Sequence, residues 1–239
     1  MGTRAAIGFR VNGQDKITYN HFDGYPTGLG MSAITQLIEY ANDVKRLVKN
    51  DPEHGVHISL AELTVSNYDV ARKNVESIVM VDDDVKPTAE QIEQNRDYLN
   101  LDVNAGTEET WYCLLRGAQG NITDYLTGKL GVMIDSAGFM NDSLFCEWAY
   151  IFNFDTNRLE IYQGFNKTCT NGRYAPIDSD SEYRPVALMV EVGFSILTQL
   201  TSDQIRAICV KLEEIQIEGM GEAQIIEEIE DMTSLKLTA

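Results

Sequence analysis

Apolar positions at two different spacings divide the chain into predicted strands and helices. Residues 4–11 and 16–22 are runs rich in strand-forming side chains, separated by Asn12-Gly13, the strongest short-range hairpin signal. The span from Val11 to Lys16 predicts a turn slightly longer than the minimal one. After Asp23-Gly24 the chain is expected to bend through Tyr25-Pro26, Gly28 and Gly30 into a helix. From Met31 to Asn50, Ile34, Leu37, Ile38, Ala41, Val44 and Val48 recur every three or four residues, one face of an amphipathic helix.

The acidic stretch 51–109 carries weaker signals. Residues 58–60 and 62–65 fit strand or helix, and residues 76–81 read as a strand stopped by Asp82-Asp83-Asp84. Pro87-Thr88 opens a predicted helix to about Leu99, with proline placed where its missing N–H costs least. Short helices are expected over 111–116 and 121–126, the second closed by Gly128.

Residues 144–154 and 158–163 predict a second hairpin, turned by Asp155-Thr156-Asn157-Arg158. Both alternating sets of the first run are largely apolar, which predicts a central strand covered on two sides. Residues 164–183 read as an exposed loop, and 184–194 as a further strand. Thr201-Ser202-Asp203-Gln204 has the form of a capping box before a helix bearing Ile205, Ile208, Cys209, Leu212 and Ile215 on one face. Gly219 and Gly221 are expected to end it.

The expected fold is α+β: a mostly antiparallel sheet built around hairpins 4–22 and 144–163 and covered by amphipathic helices. Residues 1–218 are read as a single domain with an acidic, partly helical insertion around 51–109. Residues 219–239 are read as an acidic tail or docking helix.

Charge narrows the function. The 239 residues hold 37 acidic and 19 basic side chains, a formal net charge of −18. Such a field repels nucleic-acid phosphates and anionic membranes, so neither is an expected direct partner. The same acidity admits mimicry of nucleic acid toward a basic protein, beside the plainer reading of solubility. Cys113, Cys146, Cys169 and Cys209 form no CxxC pair, which argues against zinc and for reduced thiols. No secretory leader is expected, and no apolar run approaches the ~20 residues of a membrane helix.

Met1-Gly2-Thr3-Arg4, the stretch from Asn20 to Gly30, and the block Asp142 to Tyr150 with Tyr162-Gln163-Gly164-Phe165 resemble a family of uncharacterised, largely bacteriophage-encoded proteins. The resemblance implies an accessory protein acting in a bacterial host cytoplasm and assigns no catalytic residues.

Four groups of residues carry candidate chemistry. The turn from His21 to Gly30 feeds a helix N-terminus, where backbone N–H groups could receive an anion among His21, Asp23 and Tyr25. Gly28 and Gly30 match neither a phosphate-loop nor a dinucleotide fingerprint, and shaping a tight connection is their simpler role. Thr3 is the one nucleophile near the start; in an amidohydrolase using an N-terminal nucleophile it would have to be exposed by cleavage beyond Gly2. His54 and His57 could offer imidazoles to a metal, but their spacing lacks the helical metal-site context. Glu147, in the most apolar predicted strand, must be paired, protonated or cavity-facing, with Arg4 or Arg10 as natural partners. Asp135 and Asp142 flank the same strand.

No complete catalytic constellation and no cofactor site emerge. The leading expectation is a bacteriophage accessory protein that binds a host protein. A small amide hydrolase using Thr3, His21, Asp23 and Glu147, and a virion component, are the alternatives.

Overall fold

The computed structural model of the protein describes residues 2–49, 60–99, 110–168, 170–174, 182–215 and 221–233. Strands β1 (Ala5–Val11) and β2 (Gln14–Asn20) form the first hairpin. Val11 pairs directly with Gln14, so the turn is the minimal two-residue Asn12-Gly13 and tighter than the spacing predicts. Both turn residues take positive φ (52° and 74°), which Asn and Gly tolerate and which matches the twist of the flanking strands.

The second hairpin comprises β5 (Trp148–Asn153) and β6 (Arg158–Gln163), following β3 (Val79–Val81) and β4 (Val132–Ile134) in the chain; β7 (Ala187–Gly193) comes last. The five-stranded sheet has the order β2-β1-β5-β6-β7. The two hairpins meet along a parallel β1–β5 seam, and the other pairs are antiparallel. β3 and β4 form a separate parallel pair. Just past β4, the Ser136 N–H donates to Ile17 O at 2.8 Å against β2.

One face of the sheet is covered by helices. A π-turn over Pro26–Gly30 runs into α1 (Met31–Lys49), and α2 (Leu60–Ser77) follows. α3 (Ala89–Asn95), α4 (Trp111–Leu114), α5 (Thr123–Leu126), α6 (Phe194–Leu197), α7 (Ser202–Glu214) and α8 (Glu222–Thr233) complete the set. Ile34 and Leu37 of α1, Tyr68 and Val75 of α2, and Ile205, Ile208 and Leu212 of α7 join Phe9, Tyr150, Phe152 and Leu159 in the main core. Ile225 and Ile229 of α8 are buried in this core too, and Lys211 pairs with Glu228 at 3.1 Å. The side chains of Val44 and Val48 lie outside the described residues, as do residues 58–59 and Gly219.

Local capping chemistry sets several helix ends. Thr88 and Gln91, and Thr201 and Gln204, form reciprocal capping boxes at the starts of α3 and α7. Residues 60–77 form one helix, and Glu76 and Ser77, expected in a strand, belong to its last turn. That turn carries no basic side chain of its own. Lys16 reaches across from β2 and donates to Glu76 O at 2.7 Å and Ile78 O at 2.6 Å. Burial pushes the Lys16 ammonium below its usual pKa, and the Glu76 charge opposes that shift.

The second face of the sheet is covered by irregular chain. Met140, Cys146, Tyr174 and Val186 pack over Ala6, Ile17, Ala149, Ile151, Tyr162 and Leu188. β5 is therefore buried on both sides along its whole length, as its apolar pattern predicts. The strand begins only at Trp148, because Leu144 to Glu147 lie in a turn where Phe145 N–H and Cys146 N–H both donate to Asp142 O. The loop after β6 is not wholly exposed: Asn166 and Tyr174 are buried. Among the described residues no helix is long and apolar enough to cross a membrane.

Candidate functional site

The connection from His21 to Gly30 is held by its own backbone. Gly24 N–H donates to Thr3 O at 2.9 Å, Leu29 N–H to Asp23 O at 2.8 Å, and Gly28 N–H to Tyr25 O at 3.0 Å. Tyr150 OH donates to Gly24 O at 3.0 Å from beneath. A Cβ on Gly28 would fall 2.4 Å from Asp23 O, and one on Gly30 would fall 2.7 Å from the Tyr150 ring. Both glycines thus permit close packing of the strand-to-helix connection. An anion does sit here, and it is internal: the Glu213 carboxylate of α7 accepts the Thr27 N–H at 2.7 Å.

The strand register brings Thr3, His21, Asp23 and Glu147 to one end of the sheet, because Ala5 pairs with both Asn20 and Trp148. Their hydrogen bonds run elsewhere. His21 Nδ1 bonds Tyr19 OH at 2.6 Å, and the Asp23 carboxylate accepts a 3.5 Å bond from Tyr25 OH. Glu147 Oε1 accepts the Arg4 backbone N–H at 3.1 Å, while Glu147 N–H donates to Arg4 O. Among the described residues these four side chains make no nucleophile–base hydrogen bond, which covalent catalysis requires. Glu147 is half-buried and takes a main-chain partner in place of the expected guanidinium. Arg10 pairs instead with Asp15, at 2.9 Å.

Among the described residues the deeply buried carboxylate is Glu160, 2% exposed, on the second face of the sheet. It accepts Asn153 Nδ2 at 2.6 Å and Tyr162 OH at 2.8 Å, and pairs with Arg173 from the following loop. Arg173 also meets Asp15 at 3.1 Å, and Tyr174 OH donates to Asp15 at 2.8 Å. Burial, followed by the neighbouring Glu160 charge, pushes the Tyr162 phenol far above its usual pKa. Every strong donor and acceptor in this belt has a partner within the chain, so it fastens the loop to the sheet.

Beside the gathered candidates lies a hollow of about 380 Å³, lined by Arg4, Tyr19, Ser136, Phe139, Asp142 and Phe145. Tyr19 meets Phe139 edge-on with ring centres 5.1 Å apart, and the Arg4 guanidinium lies 4.6 Å from the centre of the Phe145 ring. Burial raises the Tyr19 phenol pKa, the Arg4 charge lowers it, and nearby Tyr112 raises it further. Along the same end of the sheet, Phe22 is 58% exposed, Phe145 41%, Phe165 51% and Leu144 37%. Phe165 is also held at φ 51°, a left-handed conformation costing an L-residue about 1–2 kcal/mol.

Sequence reasoning singled out Asp142 as a flanking carboxylate and Arg4 as a partner for Glu147, but not the hollow they line. Phe145 was concealed by alternation that runs unbroken from Leu144 to Phe154. The available signal was Asp142-Ser143, a turn-forming pair just before the run, whose turn delays the start of the strand to Trp148. His54, His57 and Cys169 lie outside the described residues. Among the described residues no cluster of three or more potential ligands could hold a metal. Cys146 and Cys209 are buried thiols, as their apolar surroundings predict, and Cys113 is exposed.

Compared with protein-family models, curated proteins and solved structures, the chain matches none of them.

Proposed function

We propose that this chain is a bacteriophage accessory protein that binds a host protein in the bacterial cytoplasm through the aromatic end of its sheet. The observation that carries this reading is the group of exposed rings at one end of the sheet, Phe22, Phe145 and Phe165, of which Phe145 lines the hollow. Exposed aromatic side chains contribute little to the stability of the isolated chain, and rigid rings are the usual anchors of protein interfaces. The left-handed backbone at Phe165 carries a local cost of the kind that clusters at ligand clamps and binding sites.

Charge supports the same reading. A surface at −18 repels nucleic acid and favours a basic protein as partner. The resemblance to bacteriophage proteins supplies the host setting.

The test is quantitative affinity capture from host cells with the full chain and with F22S, F145S and F165S. A stoichiometric host protein retained by the parent and lost by at least two variants is the expected result. No stoichiometric partner, or an unchanged set of partners in all three variants, refutes the reading.

A further inference from the structure

We infer that the hollow recognises the free carboxyl terminus of a partner polypeptide whose last side chain is apolar. The inference rests on the protein-binding reading above and specifies what that surface accepts.

The starting point is Arg4. Among the described residues its guanidinium donates no hydrogen bond and joins no ion pair, although it is half-buried and held over Phe145. Its neighbour in the lining, Asp142, likewise makes no side-chain bond among the described residues, and the two are not paired with each other. In a chain with 37 acidic side chains, a half-buried arginine that takes no internal carboxylate is available to an external one, and the exposed Asp142 in the same lining is open to a donor. The guanidinium presents a planar fork of donors suited to a carboxylate, which it can bind through two parallel bonds.

The surrounding groups select among anions. Among the described residues Arg4 is the only cation lining the hollow, and Asp142 shares that lining. A phosphate carrying nearly two charges would face that carboxylate with one cation to offset it, whereas a carboxylate carries one charge. Tyr19, Phe139 and Phe145 provide apolar walls, so the anion must share a short scaffold with an apolar group. A C-terminal residue meets these demands together. Its carboxylate reaches Arg4, its side chain lies among the rings, and its backbone N–H is the donor that Asp142 or the Ser136 hydroxyl accepts. A hollow of about 380 Å³ is near the small end of ligand pockets, about 300–1,000 Å³, and suits a chain end better than a folded segment. Capture of terminal carboxylates is an established mode of peptide recognition.

The experiment applies the full chain to an array of random heptapeptides with free carboxyl ends, beside the same array amidated. Expected is retention of free-acid peptides with an apolar last residue, at least tenfold weaker for the amides and for Arg4→Met. Arg206→Met, an exposed site on α7, should bind as the parent does. If Arg4→Met proves unfolded by thermal denaturation, Arg4→Lys keeps the charge and removes the fork, and should lose at least fivefold. Equal retention of amidated peptides, no retention beyond Arg4→Met, or parent-like binding by Arg4→Lys overturns the inference. Equal competition by free phenylalanine also overturns it and makes the hollow a small-molecule site. Failure here together with partner loss in F145S leaves the protein-binding reading standing; unchanged capture in all three ring variants removes that reading instead.

Discussion

Replacing Arg173 with methionine tests whether the polar belt across the second face of the sheet holds the loop in place. Methionine keeps the apolar stem and removes the guanidinium that joins Glu160 to Asp15. Removing one member of a buried pair costs about 3–5 kcal/mol, because the remaining charge stays desolvated. Asn153 and Tyr162 still donate to Glu160, and the Arg173 side chain is 23% exposed, which places the loss near the lower end, about 3 kcal/mol. For a chain of this length that is a fall in Tm of roughly 6–12 °C. Glu160→Gln should cost less, about 1–2 kcal/mol, since Arg173 keeps Asp15. The double variant should lose clearly less than the sum of the singles, with a coupling of about 2 kcal/mol. Urea unfolding of all four proteins measures the cycle. A loss under about 1 kcal/mol for R173M, or single losses that add within about 0.5 kcal/mol, refutes the assignment of the belt as a fastening.

Three further outcomes follow from the packing. Although burial alone would raise its pKa, Asp155 is held below the ordinary carboxylate value by N–H bonds from Gly13 and Asn12 and by the Arg72 and Arg10 charges. Its stabilising contribution is therefore present above the unfolded value of 3.8 and lost as pH falls through the lower folded value. Unfolding free energies of D155N should lack that acid limb, and a parent-like slope below pH 4 would count against it. G30A should lose about 1–3 kcal/mol in denaturant unfolding, because its Cβ would sit 2.7 Å from the Tyr150 ring; an unchanged midpoint rejects this. Under native conditions a thiol reagent followed by peptide mapping should label Cys113 and leave Cys146 and Cys209 unmodified. Burial pushes the Cys209 thiol up to about 12, so labelling there at the rate of Cys113 would disprove its enclosure.

What could be read in the residue order was mostly local. Asn12-Gly13 announced its hairpin, and Thr88 with Gln91 and Thr201 with Gln204 announced their helix starts, because each signal is complete within a few residues. The two-sided burial of β5 was legible from its unbroken apolar character. Helix α2 was not, since short apolar runs such as 62–65 fit either period until tertiary contacts decide. The Glu160–Arg173 pair and the Tyr19–Phe139 contact depend on which strands lie side by side, and neither residue of either pair has a partner its neighbours in sequence would suggest. Glu147 was conspicuous as a charge in an apolar run, yet its turn lifts it to the margin of the core.

The parallel seam between β1 and β5 has a kinetic consequence. Arg4 and Glu147, bonded at its margin, are 143 positions apart. At roughly 5–20 residues per second of synthesis, the leading hairpin emerges on the order of 10 s before its inner neighbour exists. Throughout that interval one long side of β1 has open amides and carbonyls, a template for any passing extended segment. Assembly is thus gated by the arrival of β5, beyond the midpoint of the polypeptide, and a nascent chain stalled before β5 would be the species most prone to aggregate.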